Sequence, residues 1–244
     1  MRYFFANKDS QMRKTCRIFC IVLLLCWINT QDNGICEMNY ETRLWYKYAI
    51  AYINYDEMIA KGNVKDNESA LEILGQREQA KTKLLSVSAP TDAELELLLR
   101  SSRILDQKIA LVNIMLRDVY TEHIYNNIID ILNSSNDFFL RFYCYHCINL
   151  LDDKRLNRFG NDFIAILKHE KVEGLITTAM PTLVKIKSDE VVCLYVRYFK
   201  QESRTLKWVA YIYFDKLDRE YQKKIKTILE KENAWPSRSE LIQE

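Results

Sequence analysis

The chain has 244 residues and a mass of 29.0 kDa, enough for one good domain or one domain with an appendage. With 48% hydrophobic and 28% charged residues, wholesale disorder is excluded, and five Gly and three Pro disfavour a turn-dense all-β fold. A formal net charge of +2 implies no polyanion partner and hence no nucleic acid. Part of the basic excess lies at the amino terminus, where Arg2, Lys8, Arg13, Lys14 and Arg17 face only Asp9.

That basic stretch precedes the apolar run Ile18–Ile28, and polar residues from Asn29 to Gly34 come after it. The layout is that of a secretory signal, with Met12 as an alternative start. The run is shorter than the roughly 20 residues a membrane span needs, so an uncleaved signal-anchor is the second reading. Residues 1–30 are therefore expected to be a signal peptide or signal-anchor, with the least poor cleavage site after Thr30. The rest of the chain is expected outside the cytosol, secreted or tethered, with membrane contact only through residues 18–28 if they are retained. Four cysteines then remain in the exported part, Cys36, Cys144, Cys147 and Cys193, an even number that suits disulfide bonds in an oxidising compartment. Asn67-Glu-Ser and Asn133-Ser-Ser are candidate glycosylation sequons in a eukaryotic host.

Residues 37–118 read as a region of three helices. The first covers about 40–60, with Leu44, Tyr48, Ala51, Tyr52 and Tyr55 at helical spacing and Gly62 as its stop. The second is expected to begin at the capping-box pattern Ser69-x-x-Glu72 and to bury Leu71, Leu74, Leu84 and Leu85, ending by Pro90. A second capping box, Thr91-x-x-Glu94, starts the third, in which Leu98, Leu105, Ile109, Val112 and Leu116 form one stripe. Short connections favour antiparallel packing of these helices.

Residues 119–234 read as an α+β region. Residues 121–132 are amphipathic and helical, whereas 137–144 suit either a strand or another helix. Residues 182–187, 191–200 and 206–214 are rich in Val, Ile, Tyr, Phe and Trp, with polar breaks between them, which predicts a three-stranded antiparallel meander. A charged helix from Asp215 to about Glu232 comes next, and residues 235–244 are expected to be a flexible tail. The predicted fold class is thus α+β and mostly helical: a helix bundle, a short meander and a terminal helix.

One segment carries candidate chemistry, Phe142-Tyr-Cys144-Tyr-His146-Cys147. A cysteine at a helix amino terminus has its thiolate stabilised, and an intervening His adds to that effect. The segment resembles the active-site region of the thioredoxin superfamily, notably its extracytosolic DsbA-like and disulfide-isomerase branches. Phe163–Leu167 is similar to that family's next strand, and Met180-Pro181-Thr182 to its cis-proline loop. The resemblance implies Cys144 as attacking thiolate, Cys147 as resolving thiol and Pro181 beside the substrate. A rival resemblance is to armadillo or HEAT helical repeats. Leu140, Cys144, Ile148 and Leu151 recur as Leu175, Ala179, Leu183 and Ile186, and again as Leu206, Ala210, Phe214 and Leu217. In that reading the two cysteines are small buried residues. A third reading makes them structural, bridged to Cys36 or Cys193.

Other chemistry finds no complete constellation. Cys144, His146 and Cys147 lack a fourth zinc ligand at usable spacing, and Glu173 stands where His169-Glu-x-x would need a second His. His123 and His169 are expected at the surface. No phosphate loop, nucleophile elbow or calcium loop occurs, so no cofactor or metal is expected. The functional expectation is an exported or membrane-tethered protein that binds another protein. The alternatives are a thiol–disulfide oxidoreductase using Cys144 and Cys147, and a helical-repeat scaffold.

Overall fold

The structure, a computed structural model, describes residues 40–62 and 67–236. The apolar run 18–28, Cys36 and the tail beyond Pro236 lie outside the described residues. Contacts divide the chain between Lys47 and Tyr48. Of the first unit only the helical residues 40–47 are described, and every later residue belongs to the second.

Every regular element among the described residues is a helix. In chain order they are α1 (Tyr40–Ala60), α2 (Asn67–Ser86), α3 (Asp92–Leu99) and α4 (Ile104–Arg117). Next come α5 (Glu122–Ser134), α6 (Phe138–Asn149), α7 (Asp153–His169) and α8 (Glu173–Leu183). The last are α9 (Asp189–Lys200), α10 (Arg204–Phe214) and α11 (Arg219–Lys231). None of them is long and apolar enough to cross a membrane.

The expected meander is therefore corrected: residues 191–200 form α9, residues 206–214 form α10, and 182–187 are the end of α8 and the turn after it. Their β-branched and aromatic residues fall at helical spacing. Val191, Val192, Leu194, Tyr195, Tyr198 and Phe199 form one buried face of α9. Ser188 caps that helix by accepting from Glu190 N at 3.2 Å. Ser203 caps α10 by accepting from Leu206 N at 3.1 Å. Intrinsic strand preference is worth little against burial of a continuous helical stripe.

The helices pack in two rows. In one, α4 packs on α6, α6 on α8 and α8 on α10; in the other, α3 packs on α5, α5 on α7, α7 on α9 and α9 on α11. The pairs α3–α4, α5–α6 and α9–α10 join the rows. The twelve residues of the threefold pattern, Leu140 to Leu151, Leu175 to Ile186 and Leu206 to Leu217, are all buried. They sit on α6, α8 and α10, successive members of one row, and on the turns that end them. The turn that ends α8 comes close to Gly160 in α7: a Cβ there would lie 3.1 Å from Ile186 Cγ2, so Ile186 would have to shift by a few tenths of an ångström to admit it.

Local expectations are met unevenly. Thr91 and Glu94 form the full capping box, with Glu94 N donating to Thr91 Oγ1 at 3.3 Å and Thr91 N to Glu94 Oε2 at 2.7 Å. The helix it starts stops at Leu99, however, and α4 begins anew at Ile104. Ser101 holds the break: its hydroxyl donates to Asp106 Oδ2 at 2.7 Å and accepts from Arg103 N at 3.1 Å. The sevenfold step from Leu98 to Leu105 fits a continuous stripe equally well, which hides the break. α2 begins at Asn67, so Ser69 lies inside it and not at its cap. On α2 only Leu84 of the four expected leucines is buried, and Leu71, Leu74 and Leu85 face outward.

Candidate functional site

α6 starts where Asp137 accepts a hydrogen bond from Leu140 N at 2.7 Å. Cys144 and Cys147 lie on the second and third turns of this helix, far from its amino terminus, and both are fully buried. Burial pushes both thiols well above their ordinary range, and Cys147 Sγ donates to Leu111 O in α4 at 3.4 Å. A helix amino terminus, which would favour a thiolate, is at Phe138 instead. Cys144, Cys147 and Cys193 are free thiols, Cys193 exposed on α9.

Pro181 lies within α8 and not in a loop, and the described residues contain no cis peptide bond. Proline leaves the carbonyl four residues back without its donor. That carbonyl is Thr177 O; beside it α6 bonds the next one, with Asn149 Nδ2 donating to Thr178 O at 2.8 Å and the Thr182 hydroxyl donating to Asn149 Oδ1. Lys185 completes the joint by donating to Asn149 O at 2.9 Å and Leu151 O at 3.2 Å, at the carboxy-terminal end of α6. Residues 163–167, expected as a strand, are part of α7.

The polar residues of α6 are used in three clusters. Tyr143 donates to Asp56 Oδ2 at 3.1 Å, and Arg77 donates to Asp56 Oδ1 at 2.7 Å and to the Tyr52 hydroxyl at 2.6 Å. Desolvation, with Asp56 adding to it, pushes the Tyr52 phenol up to about 12. His146, edge-on to Phe142 with ring centroids 4.4 Å apart, is pushed below its usual value chiefly by burial. At the amino end of α6, Lys108 bridges Glu57 at 2.7 Å and Asp137 at 3.2 Å. On the other side, Glu170 accepts from Arg141 Nη2 at 2.5 Å, from the Tyr145 hydroxyl at 2.9 Å and from Lys171 N and Val172 N at 3.0 Å each. None of these partners was legible in sequence, because each cluster joins residues from different helices. The one available signal was the presence of Arg141, Tyr143, Tyr145 and His146 within a helix that is otherwise mostly apolar.

Besides a cleft of about 380 Å³ between α5 and α7, lined by Asn133, Arg141, Asp162 and His169 among others, two more open on the odd-numbered row. One, of about 370 Å³, lies between the amino ends of α5 and α7 and is lined by Tyr120, Tyr125, Phe159, Arg155 and Arg158 among others. Its arginines have partners: Arg158 pairs with Glu122 at 2.6 Å and Arg155 with Asp152 at 3.8 Å. The other, of about 580 Å³, includes Lys168, Lys171, Glu170 and Arg197. There Arg197 donates to Lys168 O at 2.7 Å and Leu167 O at 2.9 Å, which ties it to the end of α7. His123 and His169 are exposed, and among the described residues no His, Cys, Asp and Glu group is arranged to hold a metal. Asn133 is exposed on the last turn of α5, and Asn67 is the first residue of α2. Compared with protein families, with curated proteins and with solved structures, the chain matches none.

Proposed function

We propose that this chain is a non-catalytic interaction protein, a stacked-helix scaffold that acts outside the cytosol or at a membrane. The observation that carries the reading is the burial of all twelve repeated positions on successive helices of one row. Such stacks present long outer surfaces while each helix pair needs only its neighbours for stability. The titratable groups around α6 support it as well, since each cluster holds helices together. Burial of Cys144 and Cys147 counts against the oxidoreductase alternative, which needs an accessible thiolate.

Site-resolved alkylation of the native full-length chain tests this. Cys193 is expected to label readily, and Cys144 and Cys147 only after denaturation. Rapid labelling of Cys144, or a Cys144–Cys147 bridge that opens reversibly in glutathione buffer, would sink the scaffold reading and restore the redox one. The location rests on the apolar run 18–28 and its basic flank, and protease protection in cells expressing the chain is its check. Digestion of the intact chain by cytosolic protease would remove it.

A further inference from the structure

Three asparagines spend their side-chain amide on the fold. Asn113 Nδ2 donates to Ile109 O at 2.9 Å, Asn127 Nδ2 to His123 O at 2.9 Å and Asn149 Nδ2 to Thr178 O at 2.8 Å. None of the three begins an Asn-x-Ser or Asn-x-Thr triplet. Asn133 does, in Asn133-Ser134-Ser135, and its side chain is exposed and makes no bond within the fold. It stands on the last turn of α5. Ser135, the hydroxyl residue of the triplet, lies past the helix end in extended backbone, with φ −88° and ψ 139°. Helix ends fray more readily than helix interiors, so this triplet is open to a modifying enzyme at small cost. Asn133 also lines the cleft of about 380 Å³ between α5 and α7, so a substituent on its Nδ2 has room and breaks no contact.

We infer that Asn133 is the acceptor of an N-linked oligosaccharide. The inference rests on the placement of the chain outside the cytosol, because the donor, an oligosaccharide carried on a lipid diphosphate, reaches only chains that enter the secretory pathway. In the transfer, Asn133 Nδ2 forms a bond to C1 of the first sugar, and the C1–O bond to the diphosphate breaks. The lipid diphosphate leaves with that electron pair, and the amide nitrogen gives up one proton to a base of the transferase. The product is an uncharged amide that keeps one N–H, so the electrostatics of the fold are unaltered. A large hydrated substituent at this position holds the α5–α7 edge of the odd-numbered row in water.

The test uses the full-length chain with its own amino terminus, expressed in a eukaryotic cell line that secretes glycoproteins. It carries Asn67→Gln, so that Asn133 begins the one triplet left in the sequence. A mobility shift reversed by peptide N-glycosidase is expected, with the peptide map showing Asn133 converted to aspartate by that enzyme. Asn133→Gln and Ser135→Ala each abolish the shift, whereas Ser134→Ala and Ser135→Thr keep it. That difference between two substitutions of one residue is not a pattern that misfolding would produce. Lys65→Thr, made in the same chain, completes a triplet at Asn63 in the connection of α1 to α2 and reports the location. A glycan on Asn63 with Asn133 bare overturns the site and leaves the location standing. No glycan on either residue overturns the location, and the site with it.

Discussion

Glu170 shows why the polar residues of this molecule belong to its packing. Its carboxylate is buried between α6 and the connection of α7 to α8, and it receives a guanidinium, a phenol and two backbone amides. Removing one partner of a buried pair leaves the other charge without compensation, which costs about 3–5 kcal/mol, whereas replacing both with apolar groups is often close to neutral. Glu170→Ala is therefore expected to lower the unfolding free energy by about 3–5 kcal/mol in urea titrations, and Arg141→Met with Glu170→Met by less, the remaining loss being the Tyr145 hydroxyl and the Lys171 and Val172 amides left without their acceptor. Equal losses in the two proteins would show that the pair is not acting as a unit. His146 gives a pH signature. Burial holds its folded-state value below the ordinary 6.5, so the unfolded chain takes up a proton first as pH falls. The stability His146 permits is complete above pH 6.5 and is lost as pH drops through its folded value. Between pH 7 and pH 5 the native chain is expected to lose more stability than His146→Phe, and identical slopes would contradict the assignment.

At the scale of elements, capping decides what composition leaves ambiguous. α10 reads as a strand by its Trp, Val, Tyr and Ile, yet Ser203 starts a helix by accepting from Leu206 N and donating to Glu173 Oε1 at 2.5 Å. One hydroxyl therefore caps α10 and ties its start to the first turn of α8. Ser203→Ala is expected to cost about 1–2 kcal/mol, and Ser203→Asp to restore the cap but not the tie. Circular dichroism and urea midpoints on both variants check this; an unchanged midpoint in Ser203→Ala would remove the cap from the account. The helices expected at about 40–60, 121–132 and 215–232 were legible in sequence from their apolar spacing, although in the first the buried side is Ala49, Tyr52 and Ile53 with Leu44, Tyr48, Ala51 and Tyr55 only half-buried, and the last begins at Arg219. Those of 189–214 were not, since β-branched and aromatic residues form the buried stripe and the period was masked by apolar residues on the outward face. On α10 those residues are Trp208, Tyr211 and Ile212. The cysteine pair was visible as a spacing, but its depth depended on α4 packing across α6, which local sequence does not contain.

The helix stack is a set of nearest-neighbour contacts, and its stability should mirror that geometry. α4, α6 and α8 succeed one another within a row, and α6 and α8 have a row neighbour on each side. α10 has such a neighbour on one side only, and α2 meets α4 and, through Arg77, Asp56 and Tyr52 of α1. In such stacks the free energy is close to a sum of helix-pair terms and interface terms, so opening is easiest where an interface is missing. Native-state hydrogen exchange is accordingly expected to show the slowest amides in α6 and α8, with protection falling toward α2 at one end and toward α10 and α11 at the other. Uniform protection from α2 to α11 would mean that the rows unfold as one cooperative block.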